Sequence, residues 1–251
     1  LEHDSIGEIK VKKDAYYGAN SLRAKENFEI TGYQTDSNFR NAMVEVKKAC
    51  AIENEKVGLI SSDKKDAIVK SCDQLLEGNH IENVIVDPIQ GGAGTSLNMN
   101  INEVVANIAN EHLGGGLGTY DKVHPNDDVN KGQSTNDVIP TAGKIALIRY
   151  FMALSDETKN LIKSLEGKSK EFEDIIKMGR TQLQDAIPIS LGQEFKAYAA
   201  VIRRDLKRFD MAIDALSSVN LGGTAIGTGL NADITYVNEI VGVLSEITGI
   251  E

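Results

Sequence analysis

Three stretches of this 251-residue sequence set hydroxyl and amide side chains beside glycine: Gly-Gly-Ala-Gly-Thr-Ser-Leu-Asn-Met-Asn (91–100), Gly-Gln-Ser-Thr-Asn-Asp (132–137) and Gly-Arg-Thr-Gln-Leu-Gln-Asp (179–185). Each leads toward a run of helical periodicity. The first turn of a helix leaves N–H groups unpaired, and its dipole favours anions. Glycine lets the backbone approach a ligand, and neutral hydroxyls and amides can orient a carboxylate. Three such turns converging in space would hold a small, multiply anionic molecule. Taken singly, each reads first as a helix cap, because Ser, Thr, Asn and Asp are the favoured capping residues. The glycines at 91–94 match neither a phosphate loop nor a dinucleotide fingerprint: no Gly-Lys-Ser/Thr follows, and no β-α-β alternation surrounds them.

Other reactive side chains are sparse. His124 opens a polar run, His-Pro-Asn-Asp-Asp-Val-Asn-Lys (124–131). Its type suits a general base, but His-Pro in a loop reads first as structural, with the neighbouring aspartates bracing the same loop. His3, His80, His112, Cys50 and Cys72 show no metal-ligand spacing. No Ser-His-Asp arrangement can be assigned.

The elements that must position these residues are mostly helical. Phe39, Met43, Val46, Cys50 and Val57 recur at helical spacing up to Gly58, and Ile68, Val69, Cys72, Leu75 and Leu76 form a second stripe between Ser62 and Gly78. The short segment 81–90 reads as β-rich. A helix with Ser96 as its cap follows, then one from Val138 with Pro140 in its first turn, another over 155–176, a long one over 190–218 and a last one from Ile234. Ile6, Ile9 and Val11 suit short strands or extended arms. The fold class expected is mainly α: a small mixed N-terminal domain (1–136), then the first long helices of a bundle (137–251).

Composition narrows the partners. The chain is 41% hydrophobic and 25% charged, ordinary for a globular protein. A net charge of −10 argues against nucleic acid and anionic membrane surfaces. No uninterrupted apolar run of about 18 residues suggests a membrane span. Two cysteines on apolar helical stripes read as buried thiols in a reducing, cytoplasmic setting.

Taken in order, the blocks at 14–28, 91–107, 124–137, 177–195 and 220–231 resemble the aspartase/fumarase superfamily along essentially the whole chain. Its ammonia-lyase branch fits better than its hydratase branch. Hydratases usually carry His where this chain has Asp128, Gly-Ser-Gly-Thr-Gln where it has Gly92–Ser96, and commonly His in place of Gln182, although some ammonia-lyases share that His.

The resemblance implies reversible deamination of L-aspartate to fumarate: a base takes the C3 proton, charge spreads onto the β-carboxylate as an aci-carboxylate, and the amine leaves C2. It implies Thr95, Ser134 and Thr135 at the β-carboxylate, Asn136 at the amine, Thr181 at the α-carboxylate, and Gln182 near the amine or that carboxylate. It implies no required cofactor, with a divalent cation (Mg2+) as an activator in some members. It also implies a homotetramer whose sites draw on several subunits. The superfamily's base is a serine in a Gly-Ser-Ser-x-Met-Pro-x-Lys-x-Asn loop, a string absent here. The chain therefore reads as an N-terminal part, inactive alone, with no catalytic base among its residues. Fumarate hydration and a helical scaffold without catalysis remain the alternative readings.

Overall fold

The computed structural model describes residues 1–4 and 6–251. It is mainly helical, as expected, and forms two compact units: Leu1–Ala146 with Val219–Glu251, and Leu147–Ser218. This partition differs from a division at 136/137, because the last helix packs into the first unit's core.

In the first unit, β1 (Glu2–Asp4) and β2 (Gly7–Ile9) form an antiparallel pair, followed by α1 (Ala19–Asn27), α2 (Ser37–Lys56), α3 (Ser62–Leu76) and α4 (Thr95–His112). The carboxylate of Asp36 caps α2, and the hydroxyl of Ser61 caps α3. Gly78 adopts φ +97 just past the end of α3, the left-handed stop that its type suggests. Met43, Val46, Cys50, Ile68, Cys72 and Leu75 share one core with Ile101, Val104, Val105 and Ile108 of α4. Tyr236 and Ile240 of α7 (Ile234–Thr248) join it, and the Tyr236 hydroxyl donates to Cys50 Sγ at 3.1 Å. Both cysteines are buried and unbridged.

The helix α4 is enclosed on nearly all sides, and its buried amides and carboxylate bind the backbone of neighbouring loops. Asn100 accepts from the Ile85 N–H at 2.8 Å and donates to the Asn83 carbonyl at 2.9 Å. The segment 81–90 therefore forms a 3-10 turn at Ile81–Asn83 and irregular backbone rather than the expected β structure; its peptide groups are satisfied by a side chain. Asn107 holds the Tyr16 carbonyl and the Gly118 N–H, and Asn110 holds Lys122 and Val123. Glu103 accepts from the N–H groups of Gly18, Asn20 and Ser21, so one buried carboxylate caps α1 from outside.

The helix α5 (Thr135–Glu171) merges two helices expected separately into one of 37 residues. Pro140 lies beyond the first turn. Its missing N–H leaves the Asn136 carbonyl without its helical partner, and the Asn220 side chain donates to that carbonyl at 3.0 Å. By length and apolar composition α5 could cross a membrane, but Asp137, Thr141, Lys144 and Arg149 interrupt it, while Val138, Ala142 and Ile145 are spent on the protein core.

In the second unit, β3 (Ile176–Thr181) and β4 (Gln184–Ser190) form an antiparallel hairpin in place of the expected polar turn at a helix start. The helix α6 (Leu191–Ser217) follows, opened by a reciprocal Ser190–Gln193 capping box and close to its expected span.

Candidate substrate-binding site

The turn before α4 is built from left-handed backbone. Gly92, Ala93 and Gly94 have φ of +69, +50 and +95. Only glycine suits the last: a Cβ there would stand 2.8 Å from Ile139 Cδ1. Ser96 is not the cap. Gln90 reaches over the turn, accepting from the Leu97 N–H at 2.7 Å while donating to the Asp87 carbonyl at 2.8 Å. Thr95 is exposed, and its hydroxyl donates to the Gly92 carbonyl at 2.6 Å.

The turn at 132–137 is held from beneath. Asp137 is fully buried; its Oδ1 accepts from the Ser134 N–H at 2.8 Å, and its Oδ2 from Gly222 at 3.2 Å and Thr224 at 3.0 Å. Burial raises its pKa above the usual carboxylate value, opposed by those N–H groups and by Lys47. Ser134 Oγ accepts from the Asn136 N–H at 3.2 Å, and Thr135 Oγ1 accepts from Asn98 Nδ2 at 3.1 Å. Both hydroxyls thus have an acceptor lone pair used from inside and their own proton left for something outside. Asn136 is the reverse: its Nδ2 donates to the Ala225 carbonyl at 2.8 Å, which turns Oδ1 outward as an acceptor.

Beneath Asn98 lies Lys47, a lysine with 0% exposure. Its ammonium donates to Asn98 Oδ1 at 2.6 Å, Gln133 Oε1 at 2.8 Å and Asn130 Oδ1 at 2.9 Å. All three partners are neutral amides, so desolvation dominates and lowers its pKa from 10.5 to about 8, against the pull of Cys50 and Asp137. The arrangement fixes the flip of each amide and therefore the direction of Asn98 toward Thr135. Sequence reading missed Lys47, Asn98 and Gln90, and took Asp137 only as one of the aspartates bracing the polar run. Two signals were present: Lys47 stands four residues after Met43 on a core-facing stripe, and Ser134-x-x-Asp137 has the spacing of a capping pair.

His124 and Asp128 brace the loop, as the sequence reading favoured. The residues Pro125–Val129 form a π-helical turn, His124 Nδ1 accepts from the Asn126 and Asp127 N–H groups, and Asp128 accepts from the His124 N–H and the Lys64 ammonium, each at 2.8 Å. Among the described residues no three His, Cys, Asp or Glu side chains are grouped as metal ligands.

Thr95, Ser134, Thr135 and Asn136 belong to the first unit, whereas Thr181 and Gln182 belong to the second. The latter pair is not at a helix start, contrary to expectation. Thr181 ends β3, and Gln182 and Leu183 form the hairpin's two-residue tip with φ of +50 and +65, a left-handed pair usually given to Asn and Gly. So two of the three polar turns open helices and the third tips a hairpin.

The polar turns that open α4 and α5 are held from within by a buried carboxylate, Asp137, and a buried lysine, Lys47, in a mainly helical protein. A family model described as a lyase matches residues 7–251, and the chain belongs to that lyase family, within the fumarase/aspartase superfamily. It is 48% identical over 249 residues, 99% of its length, to an aspartate ammonia-lyase from a Bacillus species, of which it covers 53%. A fumarate lyase/delta crystallin from Brucella melitensis, solved bound to cobalt, superposes with a TM-score of 0.96 at 48% identity, over all of this chain and 55% of that one. A class II fumarase from Schistosoma mansoni follows at 0.92 and 36% identity, over 99% of this chain and 52% of that one. The chain spans about half the length of the curated relatives it matches.

Proposed function

We propose that the protein containing this chain is an aspartate ammonia-lyase, removing ammonia from L-aspartate to give fumarate. The observation that carries this reading is the hydrogen bonding of the turn at 134–136: Ser134 Oγ and Thr135 Oγ1 each accept a bond from within and keep a proton to donate, and Asn136 is held through Nδ2 by the Ala225 carbonyl, an arrangement that suits a carboxylate beside an ammonium group. Identity of 46–48% to enzymes of that name supports it. Ser134 and Thr135, with Thr95 once its hydroxyl rotates away from Gly92, receive the β-carboxylate. Its charge grows as the C3 proton leaves, and Ser134 and Thr135, held in place before the reaction, stabilise that growth without reorganising. Asn136 Oδ1 accepts from the amine. Thr181 meets the α-carboxylate, and Gln182 lies near it or the amine. The chemistry asks for fixed donors and a base, and for no group outside the protein.

The base is a serine on a loop of the superfamily whose string is absent from these 251 residues, so this chain alone releases no ammonia. The working form is a homotetramer that shares its sites between subunits and acts in the cytoplasm. Leu147, Met152, Leu154 and Leu161 of α5 and Tyr198, Val201 and Met211 of α6 are exposed, and apolar faces of this kind mark association surfaces.

The test is to express the complete protein and measure fumarate formed from L-aspartate and from L-malate side by side. Fumarate from aspartate with ammonia in equal amount, and little from malate, is expected. Turnover of malate alone would replace this reading with hydration, and turnover of neither would leave a scaffold.

A further inference from the structure

The glycine-rich loop between α6 and α7 makes four hydrogen bonds to the turn that opens α5. Asn220 Nδ2 donates to the Asn136 carbonyl, the Gly222 and Thr224 N–H groups donate to Asp137 Oδ2, and the Ala225 carbonyl accepts from Asn136 Nδ2. The loop is strained into place. Thr224 is β-branched yet has φ +58, and its hydroxyl donates to the Leu230 carbonyl at 2.9 Å. A β-branched residue holds a left-handed conformation only when its surroundings impose it, and here the buried Asp137 carboxylate takes its N–H.

Pro140 sets up the first bond. A residue with an N–H at 140 would bind the Asn136 carbonyl inside the helix; proline cannot, and so that carbonyl is left to Asn220. The last bond fixes chemistry. An Asn amide has two N–H donors and one acceptor oxygen; holding one N–H of Asn136 Nδ2 on the Ala225 carbonyl stops the amide from flipping and fixes where Oδ1 is presented. A freely rotating amide could offer either face to a carboxylate or an amine. A clamped one presents its Oδ1 at a fixed place, where it can accept from a protonated amine.

We infer that the 219–231 loop is a positioning element for the amine-recognising side of the site, with Asn220 and Asp137 as the residues that hold Asn136 in its acceptor orientation. This deepens the proposed function and rests on it. Neither residue touches the substrate; both act through Asn136.

The experiment measures the amination direction in the complete protein, with ammonium and fumarate varied separately. Asn220→Ala should raise the KM for ammonium about tenfold, the weight of one fixed hydrogen bond, while the KM for fumarate changes less than about twofold. The double variant Asn220→Ala/Pro140→Ala returns an N–H to the Asn136 carbonyl without rejoining the loop. It should recover the thermal stability lost in the single variant and leave the ammonium KM high. The inference is overturned if the single variant leaves the ammonium KM unchanged, if both KM values rise together, or if the double variant restores ammonium binding. An unsubstituted protein that forms no aspartate from fumarate and ammonium removes the proposed function, and this inference with it. An active protein whose Asn220→Ala variant matches it removes the inference alone.

Discussion

Replacing Lys47 with methionine tests how the interior is organised, and its effect can be worked from the contacts. The side chain keeps its volume and loses its charge. Three buried amide oxygens, on Asn98, Asn130 and Gln133, lose their donor. Each orphaned acceptor costs ~1–3 kcal/mol, and removing a buried ammonium relieves several kcal/mol of desolvation. The net loss should be about 2–4 kcal/mol near neutral pH. Its pH dependence is the sharper test. With a pKa near 8 in the folded protein against 10.5 ordinarily, Lys47 sheds its proton first in the folded state. Between those values the unfolded chain binds more protons, so stability rises with pH by about 3 kcal/mol in all. Buried Cys50, raised to about 12, has the opposite effect, lowering stability as unfolded thiols ionise above about pH 9. That contribution is common to both proteins and cancels in their difference. Denaturant unfolding of wild type and Lys47→Met from about pH 7.5 to about 9.5 should show the gap widening steadily. A constant gap would mean that Lys47 titrates as an ordinary surface lysine and that the desolvation argument is wrong.

Gly94→Ala forces a side chain onto left-handed backbone and against Ile139. It should cost about 1–3 kcal/mol by thermal unfolding and raise the substrate KM by displacing Thr95. Glu103→Gln turns an NH2 group toward the N–H donors of Gly18, Asn20 and Ser21. Urea unfolding should register a loss of about 2–4 kcal/mol, and an unchanged midpoint would count against the external cap on α1.

The helices were legible because their apolar stripes and stops are local: 37–56, 62–76, 191–217 and 234–248 follow periodicity, caps and glycines within a residue or two. What failed was non-local. The segment 81–90 carries strand-forming side chains, yet Asn100, distant in sequence, satisfies its backbone, and no propensity scale registers that partner. Pro140 suggested a helix start, but Asn220, eighty residues later, removes the penalty for placing proline further in. The hydroxyls at 95, 134 and 135 were readable as candidates from residue type. Their polarity was not, because the direction each group offers depends on Asn98, the Asn136 N–H and Ala225. Thr181 and Gln182 were placed at a helix mouth because a glycine-containing polar run precedes a helix. The bulged hairpin that carries them at its tip depends on strand pairing, which periodicity over so few residues cannot register.

The central claim is that the hydroxyls of Ser134 and Thr135, whose acceptor lone pairs are used from within, donate to the carboxylate whose charge grows during deamination, joined by Thr95 once it leaves the Gly92 carbonyl. Fumarate formation from L-aspartate by the complete protein, compared with its Thr95→Val, Ser134→Ala and Thr135→Val variants, tests this most directly. Ser134→Ala and Thr135→Val each remove one prepositioned donor and should lower kcat/KM by about 10²–10³-fold while the fold persists by circular dichroism; Thr95→Val removes a donor that must first leave the Gly92 carbonyl and should cost less than either. Ser134→Ala and Thr135→Val variants that turn over aspartate within about twofold of the unsubstituted enzyme would contradict the account, since an effect that small is well below what a lost prepositioned donor should cost.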